Sequence, residues 1–252
     1  MTQAPTYWSL AVADIEGFGK RTDTAQGALR TDLRAAIAGA LVAEDIDAAA
    51  TKAEDTGDGV ILRISPSVPK SAITRALTGR LNAELVRRTM APHPVEEMRL
   101  RLALHAGEVA EDDFGIIGTD VNTTCRMVDA KVLRDVLTAA SRAYLVVAVS
   151  LAWYEAVIRH DHEQIDANSY RPARLDVKEL HETIWIHVPS LGTPPGLPPY
   201  EGEAPPSTPR EPAGAKAAAG ARTLTVHGDQ YGDTVMGDKH VGTEVHHGGG
   251  QR

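Results

Sequence analysis

The sequence predicts an α+β domain with a βαββαβ core, extended by further strands and helices and followed by a disordered linker and tail. Three observations carry this expectation. Apolar residues along positions 1–188 switch repeatedly between the two-residue period of a strand and the 3.6-residue period of a helix. Hydrophobic residues make up 42% of the 252, enough for a core, and aromatics at 4% leave Leu, Val, Ile and Ala to fill it. Proline usage changes abruptly at Pro189.

The elements follow in order. Residues 7–14 (YWSLAVAD) form a short apolar run ending in an acid, the pattern of a buried strand. Residues 24–44 set Leu29, Leu33, Ile37 and Leu41 four apart with charges between them, which makes an amphipathic helix. Residues 48–54 and 59–64 flank Asp55-Thr56-Gly57-Asp58, a turn signal, and read as a hairpin. A second amphipathic helix covers 71–90, with Ile73, Leu77, Leu81 and Leu85 on one face. Met98, Leu100, Leu102 and Leu104 alternate with Arg99, Arg101, Ala103 and His105, as in a half-buried strand. Beyond this core, 121–139 read as helix, 144–149 as strand, 151–160 as a short helix, and 171–178 and 182–188 as two closing strands. The order β-α-β-β-α-β matches a ferredoxin-like core with additions.

Composition divides the chain into a domain (1–188), a linker (189–222) and a tail (223–252). Nine of the fifteen prolines fall between Pro189 and Pro212, ahead of an Ala/Gly stretch that cannot bury enough surface to offset its ordering entropy. The formal charge of −8 argues against nonspecific binding to nucleic acid or to an anionic membrane, which needs a basic surface. A single cysteine, Cys125, leaves no intramolecular disulfide. The N-terminus lacks a basic residue before Lys20, and the longest apolar stretch is too short to span a bilayer, so a cytosolic protein is expected.

Three segments stand out together: Ala13-Asp14-Ile15-Glu16-Gly17-Phe18, Thr56-Gly57-Asp58-Gly59, and Arg101 to Val109 followed by Gly118 to Met127. In these motifs, their order and their spacing, residues 6–188 resemble the class III nucleotidyl cyclase catalytic domain. They are compatible with its bacterial antiphage branch, which makes pyrimidine cyclic nucleotides. The resemblance implies the class III cyclase fold and cyclisation of a nucleoside triphosphate, with release of pyrophosphate. It places two Mg²⁺ or Mn²⁺ ions on Asp14 and Asp58, with Ile15 in the metal set. Elementary chemistry agrees, because a 3′-hydroxyl attacking the α-phosphorus needs hard cations, and hard cations need carboxylate oxygens.

The resemblance further implies that Asn122 orients the ribose and Arg126 binds the α-phosphate in the transition state. Four residues apart on a helix, the two share a face. Phe18 and Lys178 fall at substrate-binding positions, Lys178 facing the triphosphate. His105 reads as structural, and Cys125 as a small packed thiol. A homodimer follows by analogy, with the aspartates from one chain and Asn122 and Arg126 from the other.

Base selection in the family rests on two positions, here Glu54 and Gly115. Adenine-selective members carry Lys at the first and Asp or Thr at the second. Glu54 could accept hydrogen bonds from guanine, whereas Gly115 has no side chain to read a base, so GTP or a pyrimidine triphosphate is expected ahead of ATP. The alternative is a catalytically silent cyclase-like module that binds nucleotide or dimerises, although none of the four catalytic positions is lost. The tail repeats Gly-Asp at 228–229, 232–233 and 237–238 with Val and Tyr between, a pattern suited to pairing of short β-strands. It is expected to recruit an effector or to be a soluble, disordered extension.

Overall fold

The computed structural model describes residues 4–90, 97–177 and 180–200. The predicted core forms in the predicted order. Strand β1 (Thr6–Ile15) leads through a 3₁₀ turn at Phe18–Lys20 into helix α1 (Asp23–Val42), whose start is capped by the Thr22 hydroxyl accepting the Ala25 N–H at 3.4 Å. Hairpin strands β2 (Thr51–Asp55) and β3 (Gly59–Ile64) follow, then α2 (Lys70–Arg75) and α3 (Leu81–Thr89), and then the long strand β4 (Leu100–Asp112). Within this set the sheet order is β2-β3-β1-β4, antiparallel throughout, which is the arrangement of the ferredoxin-like core.

The additions complete the sheet. Strand β5 (Gly115–Ile117) turns back on β4. Helices α4 (Thr119–Val128) and α5 (Lys131–Ala139) precede β6 (Leu145–Ser150), which lies parallel to β4. Helix α6 (Leu151–Ala156) and strands β7 (Arg171–Val177) and β8 (Leu180–His187) close the domain, and the full order is β2-β3-β1-β4-β6-β8-β7.

Alternation along the strands feeds two cores. Ala11, Ala13, Leu62, Leu102 and Val147 face α1, α3 and α6, with Leu29, Leu33, Leu77, Leu85 and Trp153 fully buried against them. Val12, Ala103, Val146 and Ile186 face the opposite side and pack on Met127, Leu133 and Leu137 of α4 and α5. Burial in these two layers supplies the dominant stabilisation of the domain.

Four details differ from the sequence reading. Residues 48–50 form a 3₁₀ turn capped by Asp47, because that side chain accepts the Ala49 N–H at 2.8 Å. The helix over 71–90 contains a π-helical turn at Ala76–Arg80, where Arg80 joins Arg75 on the buried carboxylate of Glu44. The helix over 121–139 breaks as Ala130 takes extended dihedrals, which lets Met127 and Leu133 both reach the sheet. Strand β5 was not expected. In the stretch assigned to the linker, residues 189–200 are described: Leu197 packs on the α4–α5 core and the Tyr200 hydroxyl lies 2.8 Å from that of Thr183. The remainder of the linker and the tail lies outside the described residues. Among the described residues, no helix is long and apolar enough to cross a membrane.

Candidate active site

Asp14 sits at the end of β1 with its side chain on the α4–α5 side of the sheet. Its cross-strand neighbour on β4 is Arg101, and the two form a largely buried ion pair. Burial nevertheless dominates and pushes the Asp14 carboxyl up to about 6, with Arg101 opposing and the negative charges of Asp58 and Asp129 adding to the rise. The shift is thus mainly a cost of burying the carboxylate, which the contact with Arg101 only partly offsets.

Asp58 is brought there by the hairpin. The Ile15 N–H donates to the Asp58 carbonyl at 3.0 Å, which straps the tip to the end of β1. Two glycines permit this approach. Gly57 has φ +92°, a conformation L side chains rarely adopt, and a Cβ on Gly59 would lie 2.2 Å from the Ala13 carbonyl oxygen. The tip is shaped by Asp55, whose carboxylate accepts the Gly57 N–H at 2.7 Å and pairs with Arg30 at 2.6 Å and with Arg34, both on α1. The Arg30 hydrogen bond, ahead of the Gly57 N–H, holds the Asp55 carboxyl down at about 2.

Ile15 is buried beside Asp14, and Phe18 packs half-buried against the first core. Asn122 and Arg126 lie on α4, the first exposed and the second half-buried. That helix is pinned to β4 by Asp120, which accepts the Glu108 N–H at 2.8 Å and contacts His105 Nε2 at 3.2 Å. His105 thus has a structural partner. The α4 C-terminus ends at Asp129, the residue whose charge reaches Asp14.

Glu54 and Gly115 belong to a different neighbourhood from the two aspartates. Glu54 on β2 accepts from Arg63 Nη2 on β3 at 2.8 Å, and Arg63 Nη1 donates to Glu111 on β4 at 2.8 Å. Glu111 is opposite Ile116 in the β4–β5 ladder, next to Gly115, whose N–H donates to Asp112 at 3.1 Å. An apolar patch of Trp8, Ile61, Ile116 and Cys125, over Leu10 and Val121, connects this corner to α4. The structure therefore gathers Asp14 with Asp58, and Glu54 with the surroundings of Gly115. Lys178 lies outside the described residues.

Arg101, Asp55 and Arg63 escaped the sequence reading as site residues. A signal existed for Arg63, a charge inside the otherwise apolar run GVILRI. Among the described residues, no group of three or more His, Cys, Asp and Glu side chains is placed to hold a metal ion by itself.

No protein-family model matches the sequence, and no curated protein matches it either. Solved structures do. The adenylate/guanylate cyclase/hydrolase from Silicibacter pomeroyi aligns with a TM-score of 0.52 at 15% identity, over 75% of this chain and 99% of that one. The guanylyl cyclase Cya2 gives 0.51 at 15% identity, over 75% and 95%. A bacterial light-regulated adenylyl cyclase gives 0.53 at 16% identity, over 73% of this chain and 51% of its own. The chain has the fold of the adenylate and guanylate cyclase catalytic domains.

Proposed function

We propose that the domain converts a nucleoside triphosphate, GTP or a pyrimidine triphosphate rather than ATP, into a 3′,5′-cyclic nucleotide and pyrophosphate, for use as a signal. The observation that carries this reading is the meeting of Asp14 and the Asp58 hairpin tip at the end of β1, where the Ile15 N–H donates to the Asp58 carbonyl at 3.0 Å. A buried carboxyl raised to about 6 by burial and by its neighbours Asp58 and Asp129 is a place where a cation is stabilised. Two carboxylates, with Ile15 beside them, suit Mg²⁺ or Mn²⁺, which keep water and phosphate oxygens as their remaining ligands. Such ions, when bound, lower the pKa of the 3′-hydroxyl and neutralise the triphosphate.

The chain's own residues supply the rest. Asp55 and the strap from Ile15 hold the Asp58 backbone against the end of β1, so its carboxylate is offered to the triphosphate beside that of Asp14. The bond from O3′ to the α-phosphorus forms as the bond to the leaving pyrophosphate breaks, and the hydroxyl proton passes to solvent. Arg126 opposes the charge that builds on the α-phosphate, and Asn122 orients the ribose. Both act from the second protomer of a homodimer, across from Asp14 and Asp58 of the first. Lys178 reaches the triphosphate, and Phe18 borders it.

The test incubates purified protein with each of the four ribonucleoside triphosphates and Mn²⁺, separating products by chromatography. A cyclic product lost in Asp14→Ala and Asp58→Ala, by about three or more powers of ten, supports the reading. ATP as the preferred substrate would refute the base assignment, and no product from any triphosphate would leave the silent module.

The tail, 223–252, acts in this reading as a recruitment module on a proline-rich tether. A synthetic peptide of that segment that stays monomeric, together with a tail deletion that leaves partner capture unchanged, would remove that role.

A further inference from the structure

Arg63 is an unusual residue for its place. Its side chain is 3% exposed near the end of β3, with Nη2 on Glu54, Nη1 on Glu111, and the guanidinium 5.6 Å from the Trp8 ring centroid. Lys52 completes the corner, 3.3 Å from Glu111 and 5.8 Å from the same ring. A buried guanidinium shared by two carboxylates is costly to assemble unless it organises something. What it organises is the edge of the apolar patch formed by Trp8, Ile61, Ile116 and Cys125, which continues onto α4 at Val121 and Cys125.

That patch has the character of a seat for a flat ring. Its floor is aromatic and aliphatic, and β5 brings Gly115, with no side chain, to its border. Three groups of its charged rim remain half exposed: the carboxylates of Glu54 and Glu111, side chains 41% and 38% exposed and both oriented by Arg63, and the Lys52 ammonium, 53% exposed and paired with Glu111. That leaves Glu54 as the acceptor held by Arg63 alone. Carboxylate oxygens only accept hydrogen bonds. A base at this rim is favoured if its edge carries a ring N–H donor, as guanine N1–H and uracil N3–H do. Adenine turns its N1 acceptor beside its amino group, and cytosine its N3 acceptor, so either lone pair would meet a fixed anion.

We propose that Arg63 is a specificity-positioning residue: by pinning Glu54 as an oriented acceptor, it makes the site take donor-edged bases and reject adenine. The inference rests on the nucleotide-cyclase reading above for the identity of the ligand. A freely turning Glu54 could swing into solvent and tolerate either edge, whereas a pinned one cannot. Discrimination against ATP is thus assigned to the pair and not to Glu54 alone.

The experiment measures two quantities on the full chain. One is the binding ratio of GTP and UTP to ATP and CTP, by displacement of a fluorescent GTP analogue with Ca²⁺ in place of Mn²⁺. The other is the ratio of kcat/KM values with Mn²⁺. Arg63→Gln should lower the preference for the best donor-edged triphosphate over ATP about tenfold, the size of one oriented hydrogen bond to a charged group. Arg63→Lys should retain most of the preference. Arg63→Gln in a Glu54→Gln background should have little further effect, because the two act as a unit. If Arg63→Gln does not fold, Glu111→Gln loosens the guanidinium from its exposed side and should shift the ratio in the same direction by a smaller factor.

Equal preference ratios in wild type, Arg63→Gln and Glu111→Gln overturn the inference while turnover upholds the cyclase reading. Selective binding that depends on Arg63, without turnover of any triphosphate, upholds the inference and overturns the cyclase reading. Failure to bind any of the four nucleotides overturns both.

Discussion

Asp14→Asn should make the protein more stable, and only above the pH at which Asp14 ionises. The carboxyl rises from its ordinary 3.8 to about 6 in the fold, with burial as the leading cause. That gap corresponds to about 3 kcal/mol between the two protonation states. Water still reaches the side chain and screens part of it, so roughly 1–2 kcal/mol is the usable figure. The sign follows from proton binding: between about pH 4 and about pH 6 the folded chain keeps a proton that the unfolded chain has released. The stability this group contributes is therefore complete below about pH 4 and lost as pH rises through about 6. Asn mimics the neutral carboxyl, can still accept from Arg101, and never incurs the charge.

Urea denaturation in EDTA should show the variant about 1–2 kcal/mol more stable near pH 7.5 and indistinguishable from wild type near pH 4. Millimolar Mn²⁺ should then narrow the gap by stabilising wild type alone. A variant less stable at pH 7.5, or a gain of equal size at both pH values, would refute the placement of a strained buried charge at the end of β1.

Mixing inactive Asp14→Ala chains with inactive Arg126→Ala chains should restore up to about a quarter of wild-type turnover, since one of two sites in each heterodimer is whole; no recovery despite demonstrated subunit exchange excludes a shared site. Asp55→Ala frees the Gly57 N–H along with Arg30 and Arg34, and should weaken Mn²⁺ binding about 10–100-fold with circular dichroism unchanged. Because Asp55 is held at about 2, the hold on the hairpin is complete above about pH 4 and is lost as pH falls toward 2. Fluorescence spectra of a Thr56→Trp variant that do not change across that window would count against it.

The sheet core was legible because its signals are local. Four-residue spacing of Leu29, Leu33, Ile37 and Leu41 specifies one helix face, and all four side chains are buried. Strand β5 was not, because Gly115–Ile117 offers three residues and no period to detect. The break after α4 carries no Gly or Pro; it arises from the demand that Met127 and Leu133 both reach one sheet. Asp14 and Asp58 were readable as motif residues, and the strap from the Ile15 N–H to the Asp58 carbonyl supports their proximity. Their partners were not readable, since the pairing of Asp14 with Arg101 depends on a register set 87 residues away. The proline-rich stretch misled in one respect: Leu197 and Tyr200 find partners on the domain despite their surroundings.

The position of β1 between β3 and β4 has a consequence for how the chain emerges from a ribosome. One side of β1 is covered once residues 59–64 are made, but the other waits for residues 100–112. At about 5–20 residues per second that interval lasts several seconds. Throughout it, a central apolar strand presents an open hydrogen-bonding edge, the feature that templates misassembly. The nascent chain cannot rest on a folded N-terminal half, because loop closure over the whole α2–α3 region must precede the β1–β4 ladder. Synthesis rate and chaperone supply, more than the stability of the finished domain, would then set its yield in a cell.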